Sequence, residues 1–262
     1  MTAVRVIVLA AQRKGVIDPL AIRFRVSHKC LIPLHKEVLI EHVMKTLTSH
    51  PDVGTVAISI EPEVFDEVAT LLQGLSGKNA NIIFTPAADN IADSVKQAAG
   101  GHQGKLIITT ADNALLKAAS IDAMIEALES NDVAVALSPR ESVLAAHAEG
   151  QRRFYRFKDG EYSNCNLYGL RNSEGLEAAE FFRGGGQFAK KASRIVQAFG
   201  LINLLMLRLS FVTLQEGLGR IGKRVGLTIA PVVLHDGTQA IDVDNDRTYR
   251  IVEQLRQPGG NI

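Results

Sequence analysis

Residues 4–11 are almost continuously aliphatic and β-branched, without the alternation of a strand that wets one face. Such a run predicts a strand covered on both sides, as at the centre of a parallel sheet. Comparable runs return at 53–60, 81–85, 105–110 and 132–137. Between them, apolar residues recur with helical spacing over 38–47, 63–72, 91–99 and 121–128. Alternation of strand and helix predicts right-handed βαβ units and helices on both faces of a mostly parallel sheet.

After Pro139 the pattern changes. Extended segments at 153–158 and 161–170 flank Asp159-Gly160, a tight-turn dipeptide, which predicts an antiparallel hairpin inserted into the second half. Residues 173–224 are helical in composition, interrupted by Gly184-Gly185-Gly186, and Thr213 with Glu216 has the spacing of a capping box. A further strand is expected at 227–233, and a last helix running through Gln254 and capped by Asn245 or Asp246. The fold expected is α/β, a three-layer sandwich with a mostly parallel, Rossmann-like sheet. One domain spans 1–262, with a helical insertion at about 173–224.

The chain's 262 residues, 46% hydrophobic and 22% charged, suffice for one large core and exclude a disordered or fibrous chain. Two distant cysteines, Cys30 and Cys165, belong to no metal-ligand spacing and read as buried thiols in a reduced compartment. Arg5 interrupts an N-terminal run already too short for a secretion signal, so a cytoplasmic protein is expected. With 29 Lys+Arg against 28 Asp+Glu, no overall field attracts nucleic acid. The layout is uneven, however. From Arg183 to Arg224 eight basic residues meet one acidic residue, Glu216, a local charge of +7 around the apolar stretch 195–212. A helix packed over the core, an interfacial helix making peripheral membrane contact with anionic lipid or a lipid-linked substrate, or a membrane span interrupted by Gln197, Asn203 and Arg208 are the readings this composition leaves.

Ligands of open parallel sheets bind beyond the carboxyl ends of the strands. Four places there carry chemistry. After the first strand, Arg13, Lys14 and the backbone of Gln12 to Asp18 can surround a phosphate. Lys29 can present an ammonium to a polyphosphate. Asp112 follows the strand run 105–110, where a lone carboxylate suits a hard divalent cation. Asp242 and Asp244 stand two apart late in the chain; one of them is expected to face a metal shared with Asp112, the other supporting it. Seven histidines lack zinc spacing, and no GxSxG nucleophile elbow occurs.

The stretches VIVLAA at 6–11, SHKCLIPLHKEVLIEHVMKTL at 27–47, NIADSVKQAA at 90–99, IITTADNALL at 107–116 and IDVDNDRTYRIVEQL at 241–255 resemble the molybdenum cofactor guanylyltransferase-like (MobA-like) nucleotidyltransferases. The resemblance implies a nucleotide-diphospho-sugar transferase fold and Mg²⁺-dependent transfer of a nucleoside monophosphate from an NTP to a phosphorylated small-molecule or lipid-linked acceptor, with release of pyrophosphate. Carried over by position, Leu9, Ala10, Ala11, Gln12, Lys14 and Gly15 line the nucleotide and Ser94 approaches its base. Lys29 and Arg13 act on the phosphates, Asp112 and Asp244 hold Mg²⁺, and Asp242 supports them. The basic pair Lys190 and Lys191 is a candidate for the acceptor phosphate.

The chain departs from the family at Gln12, where a glycine normally follows the paired alanines, at His28, where proline precedes the lysine, and at His35-Lys36, where glycine follows Pro33-Leu34. A side chain at position 12 restricts close approach of backbone to phosphate. A divergent enzyme subgroup, a catalytically impaired nucleotide-binding or regulatory protein, and a glycosyltransferase using a nucleotide sugar are the readings this leaves.

Overall fold

A computed structural model describes residues 3–12, 18–75, 79–176 and 211–256. The chain runs β1 (Val4–Leu9), α1 (Pro19–Phe24), β2 (Pro33–Leu34), β3 (Glu37–Val38), α2 (Leu39–Ser49), β4 (Val53–Ile60), α3 (Phe65–Leu71), β5 (Asn81–Pro86), α4 (Ile91–Ala99), β6 (Leu106–Thr110) and α5 (Ala118–Ser130). It continues through β7 (Val133–Pro139), α6 (Arg140–Ala146), β8 (Tyr155–Phe157), β9 (Gly160–Leu170), α7 (Leu214–Val225), β10 (Ile229–Val233) and α8 (Asp246–Leu255).

β1 lies inside the sheet, paired in parallel with β4 on one side and β6 on the other, and the sheet order is β10-β7-β9-β6-β1-β4-β5. Its aliphatic run has the expected cause. Val6 and Val8 join a large core with side chains of α2, α5 and α8, whereas Ile7 points into a second core with Val95, Ala98 and Ala99 of α4. All three β1 residues are fully buried. Helices thus cover both faces, giving the three-layer α/β sandwich expected from the sequence.

The predicted hairpin forms, with β8 antiparallel to β9, but β9 is more than an insertion. It enters the main sheet antiparallel between β6 and β7, and so becomes an inner strand. Along β7 its register passes from Val135 opposite Tyr168 to Leu137 opposite Asn164, so two steps on β7 oppose four on β9. Within that bulge Asn166 has φ 48°, a left-handed conformation that asparagine tolerates better than most residues.

Thr213 caps α7, accepting the Glu216 N–H at 3.2 Å while the Glu216 carboxylate accepts the Thr213 N–H at 2.8 Å, as its spacing predicted. Most of the proposed helical insertion, 177–210, lies outside the described residues, and with it the question of a lipid-facing helix. Among the described residues no helix is long and apolar enough to cross a membrane. Of the two caps considered for α8, Asn245 is the one used, its Oδ1 accepting from Arg247 N at 3.1 Å and Thr248 N at 3.2 Å. Asn245→Ala is expected to cost about 1 kcal/mol, read as a lower urea midpoint with unchanged slope.

Two helices were not anticipated, α1 and α6, of six and seven residues. Each is under two turns, too short to display a helical period. The cue for α1 was chemical instead: Asp18 accepts from Leu20 N and Ala21 N, and Pro19 occupies the first turn. The turn joining β2 to β3 explains the family's glycine there, since His35 takes φ 57° in its place.

Candidate active site

Lys29 begins a short 3-10 turn, Lys29–Leu31, whose Cys30 and Leu31 are anchored in the core. That anchoring points the lysine across the carboxyl end of the sheet. Its ammonium donates to Asp112 Oδ2 and, at 3.1 Å, to Asp244 Oδ1. Burial by itself would lower the Lys29 pKa, but the charges of Asp112 and Asp244 outweigh it and hold the ammonium above its ordinary range.

Asp112 is placed by β6 and by its neighbours: Ala111 N–H donates to Leu9 C=O at 3.0 Å, tying this loop to the end of β1. The Asp112 carbonyl in turn accepts the Val243 N–H at 3.2 Å, which brings the late aspartates to the same place. The expectation that only one late aspartate faces the site fails, since residues two apart share a face even in an extended segment. Segment 241–245 is not a strand; Asp244 N–H donates to Asp242 C=O at 3.1 Å, a three-residue turn pivoting on the fully buried Val243. Carboxylate oxygens of Asp112, Asp242 and Asp244 consequently lie within 4.8 Å of one another.

The three acids differ in exposure. Asp242 is buried, Asp112 half-buried and Asp244 exposed. Burial, then the charges of Asp112 and Asp244, push the Asp242 carboxyl well above its ordinary range, with Lys29 opposing. Because folding raises this pKa, stability falls as pH rises above the ordinary 3.8, where the unfolded carboxyl ionises and the folded one stays protonated, and the loss levels off once the raised folded value is passed. Asn166 supplies partial relief, its Nδ2 donating to Asp242 Oδ2 at 2.7 Å. The β9 bulge is what aims it there. Asn164 Oδ1 accepts the Asn166 N–H at 3.2 Å, and Asn113 Nδ2 donates to the Cys165 carbonyl at 3.2 Å. Neither Asn113 nor Asn166 was foreseen; the available cue was two asparagines flanking Cys165 inside a strand that otherwise reads as core.

Three oxygen donors with one lysine leave the cluster negative, and Asp112 Oδ1 is buried without a hydrogen-bond partner. A hard divalent cation fits this donor set. Asn166→Gly, which keeps the backbone conformation and removes the amide, is expected to weaken Mn²⁺ binding by about tenfold or more, as loss of an outer-shell partner does. Titration calorimetry reads this directly.

At the end of β1, Leu9 to Gln12 form a lip beside the cluster. Gln12 N–H donates to Glu61 Oε1 at 2.9 Å and its side-chain Nε2 to the Ser27 carbonyl at 2.6 Å, so the residue in place of the family's glycine fastens the strand end to β4 and to the Lys29 turn. His28 packs its Nε2 3.2 Å from Glu61 Oε2 on the same fastening. Ser94 lies in α4, nearly buried, where its Oγ accepts the Ala88 N–H at 2.9 Å and holds the loop after β5. Arg13, Lys14 and Gly15, and the pair Lys190 and Lys191, fall outside the described residues. Both cysteines are buried and free, with burial pushing the Cys30 thiol up to about 12.

Other clusters do not compete. His50 sits near Asp52 and Asp122, but its Nδ1 accepts the Asp52 N–H at 3.2 Å and its Nε2 lies 3.0 Å from Asp122, so both ring nitrogens are used. A surface cleft of about 650 Å³ beside α6 contains a closed Lys117–Asp236 pair of 2.7 Å and none of the expected site residues.

A lysine and clustered aspartates stand beyond the carboxyl ends of a mostly parallel sheet, and the family match makes the chain an α/β enzyme of the nucleotidyltransferase class. The chain belongs to the MobA-like NTP transferase domain family, whose model matches residues 6–176. Among solved structures it is similar to a hypothetical transferase from Thermus thermophilus at 20% identity and TM-score 0.76, covering 95% of this chain and 100% of that one. It is also similar to a CMP:2-keto-3-deoxy-manno-octonic acid synthetase complexed with CTP (12% identity, TM-score 0.58, 97% and 98% covered). A third similarity is to a 4-diphosphocytidyl-2C-methyl-D-erythritol synthase from Anaerococcus prevotii (10%, 0.59, 97% and 96%). No curated protein sequence matches the chain.

Proposed function

We propose that the protein transfers a nucleoside monophosphate from an NTP to a phosphorylated acceptor, with Mg²⁺ as cofactor and pyrophosphate as the second product. The observation that carries this reading is the meeting of Lys29 with Asp112, Asp242 and Asp244 beside the lip of β1. An acceptor phosphate oxygen attacks the α-phosphorus as the bond to the β-phosphate breaks, and the electron pair leaves with pyrophosphate. This chemistry asks the protein for alignment and charge neutralisation, with no protein nucleophile.

Asp112 and Asp244, with Asp242 beside them, are the residues that hold Mg²⁺, which when bound supplies positive charge against the phosphate oxygens. Lys29 is within reach of the same place and neutralises charge developing on the leaving pyrophosphate. Leu9, Ala10, Ala11 and Gln12 form the nucleotide's floor, Arg13, Lys14 and Gly15 complete the phosphate loop, and Ser94 fixes the loop that faces the base. The buried free thiols support a reducing, cytoplasmic setting.

Pyrophosphate release, assayed with the four common NTPs and a panel of phosphorylated acceptors, tests the reading. Acceptor-dependent release with one NTP in Mg²⁺ is expected, and that NTP at a hundredfold excess over its Kd should stabilise the fold by about 2.7 kcal/mol. Thermal stabilisation by an NTP without any release would instead leave a nucleotide-binding protein.

A further inference from the structure

A second, smaller cleft opens at Asp246, two residues past Asp244. About 410 Å³ in volume, it lies between the loop that leaves α6 and the first turns of α8, with His147, Arg247, Arg250 and Ile251 among its walls. Both walls belong to segments that follow carboxyl ends of sheet strands, β7 and β10, the edge at which α/β proteins bind ligands. The loop is pressed onto the segment that carries the site. A Cβ on Gly150 would lie 2.6 Å from Ile241 Cδ1, one residue before Asp242. Arg247 follows Asp244 by three residues, and Arg250 stands one helical turn, about 5 Å, further along.

The donors here are unspent. Arg247 Nη1 is buried without a hydrogen-bond partner, a costly state for a guanidinium N–H. Among the described residues, neither Arg247 nor Arg250 has a side-chain hydrogen bond or an ion pair. His147 Nδ1 accepts the Glu149 N–H at 3.1 Å, so in the neutral ring the proton is on Nε2, a further donor. Two acids share the cleft: Asp246 is paired with Arg23, and Glu149 is exposed. The lining charges, Arg247 and Arg250 against Asp246 and Glu149, balance, but Asp246 is already paired with Arg23 outside the cleft, and guanidinium forks match phosphate oxygens.

We infer that this cleft binds the phosphate monoester of the acceptor and presents it to the nucleotide across Asp244. The inference rests on the nucleotidyl-transfer reading and adds to it a place for the second substrate, on residues of α8 and the α6–β8 loop. Lys190 and Lys191, the acceptor candidates from the sequence, are not required for it.

Inorganic phosphate is the probe. Followed by ¹H–¹⁵N spectra, it is expected to shift the amides of 147–149 and 246–251 saturably, in the parent protein and equally in Lys29→Gln, which removes the contribution of the triphosphate site. Arg250→Gln, at an exposed position that folding does not need, should raise the apparent Kd about tenfold, and Arg247→Gln should do the same. Absence of shifts at these amides, or shifts that Arg250→Gln leaves unchanged, overturns the site. With an acceptor found by pyrophosphate release, Arg250→Gln should raise the acceptor KM about tenfold and leave the NTP KM and kcat in place. An unchanged acceptor KM overturns the cleft's role while nucleotidyl transfer stands. Phosphate binding in the cleft without pyrophosphate release from any NTP overturns the transfer reading and the acceptor role together.

Discussion

Asp112→Asn is expected to lower kcat by about a thousandfold, equivalent to about 4 kcal/mol of transition-state stabilisation, with the fold intact. Asp112 is the carboxylate on which the site is built: Lys29 donates to one oxygen, the other is buried and unpartnered, and its backbone holds Val243 and hence both late aspartates. The amide keeps the shape and the carbonyl contact, so geometry survives while one anionic donor to a divalent cation is lost. Apo stability should change little, because the lost attraction to Lys29 is offset by relief of repulsion from Asp242. Steady-state pyrophosphate release measures the effect, with thermal denaturation as the control. A variant within tenfold of the parent, equally stable, would remove Asp112 from the chemistry.

Lys29→Gln is the second large effect, expected at about a hundredfold to a thousandfold in kcat, on the scale of losing a preorganised charge-stabilising donor. It differs from Asp112→Asn in what happens to the protein without metal. Removing the ammonium leaves Asp112, Asp242 and Asp244 without their internal cation, so the apo protein should melt at a lower temperature, and Mn²⁺ should restore more of that loss than it gives the parent. Differential scanning calorimetry with and without Mn²⁺ reads this. Asp112 and Asp244 hold the Lys29 pKa above its ordinary range in the unliganded protein, and phosphate oxygens would do the same in the complex, so the parent's activity should show no loss attributable to lysine deprotonation through pH 9. Lys29→Arg should rescue poorly, because a planar fork does not reproduce a point ammonium held between two carboxylates.

The legible parts of this chain were those with long periods. Buried strands such as Val53–Ile60 and helices such as Ile91–Ala99 announced the sheet and its layers, because burial on two faces or one dictates composition over many residues. Lys29, Asp112 and Asp244 were legible for another reason: polar residues at the ends of apolar runs stand out, and a parallel sheet makes those ends one place. What escaped was set by local backbone geometry. That Asp242 joins Asp112 and Asp244 is set by a three-residue turn at Val243 and by the Val243 N–H bonded to the Asp112 carbonyl, and no hydrophobic pattern over five residues announces either. Asn166 escaped because a bulge re-aims it, and a bulge depends on the register of β9 against β7, a pairing between distant segments. Gln12 reads in the sequence as restricting phosphate approach, and its contacts to Glu61 and Ser27, which no sequence pattern announces, also make it a brace between β1, β4 and the lysine turn.

Lys29, Asp112, Asp242 and Asp244 are proposed to form one metal-dependent nucleotide site. Anomalous diffraction from crystals grown with Mn²⁺ and a non-hydrolysable analogue of the NTP that supports release tests it most directly. A manganese peak is expected among the three aspartates, with the α-phosphate beside it and the Lys29 ammonium on the phosphates. A nucleotide bound at the lip of β1 with manganese elsewhere, or with Lys29 still closed on Asp112 and Asp244, would contradict it.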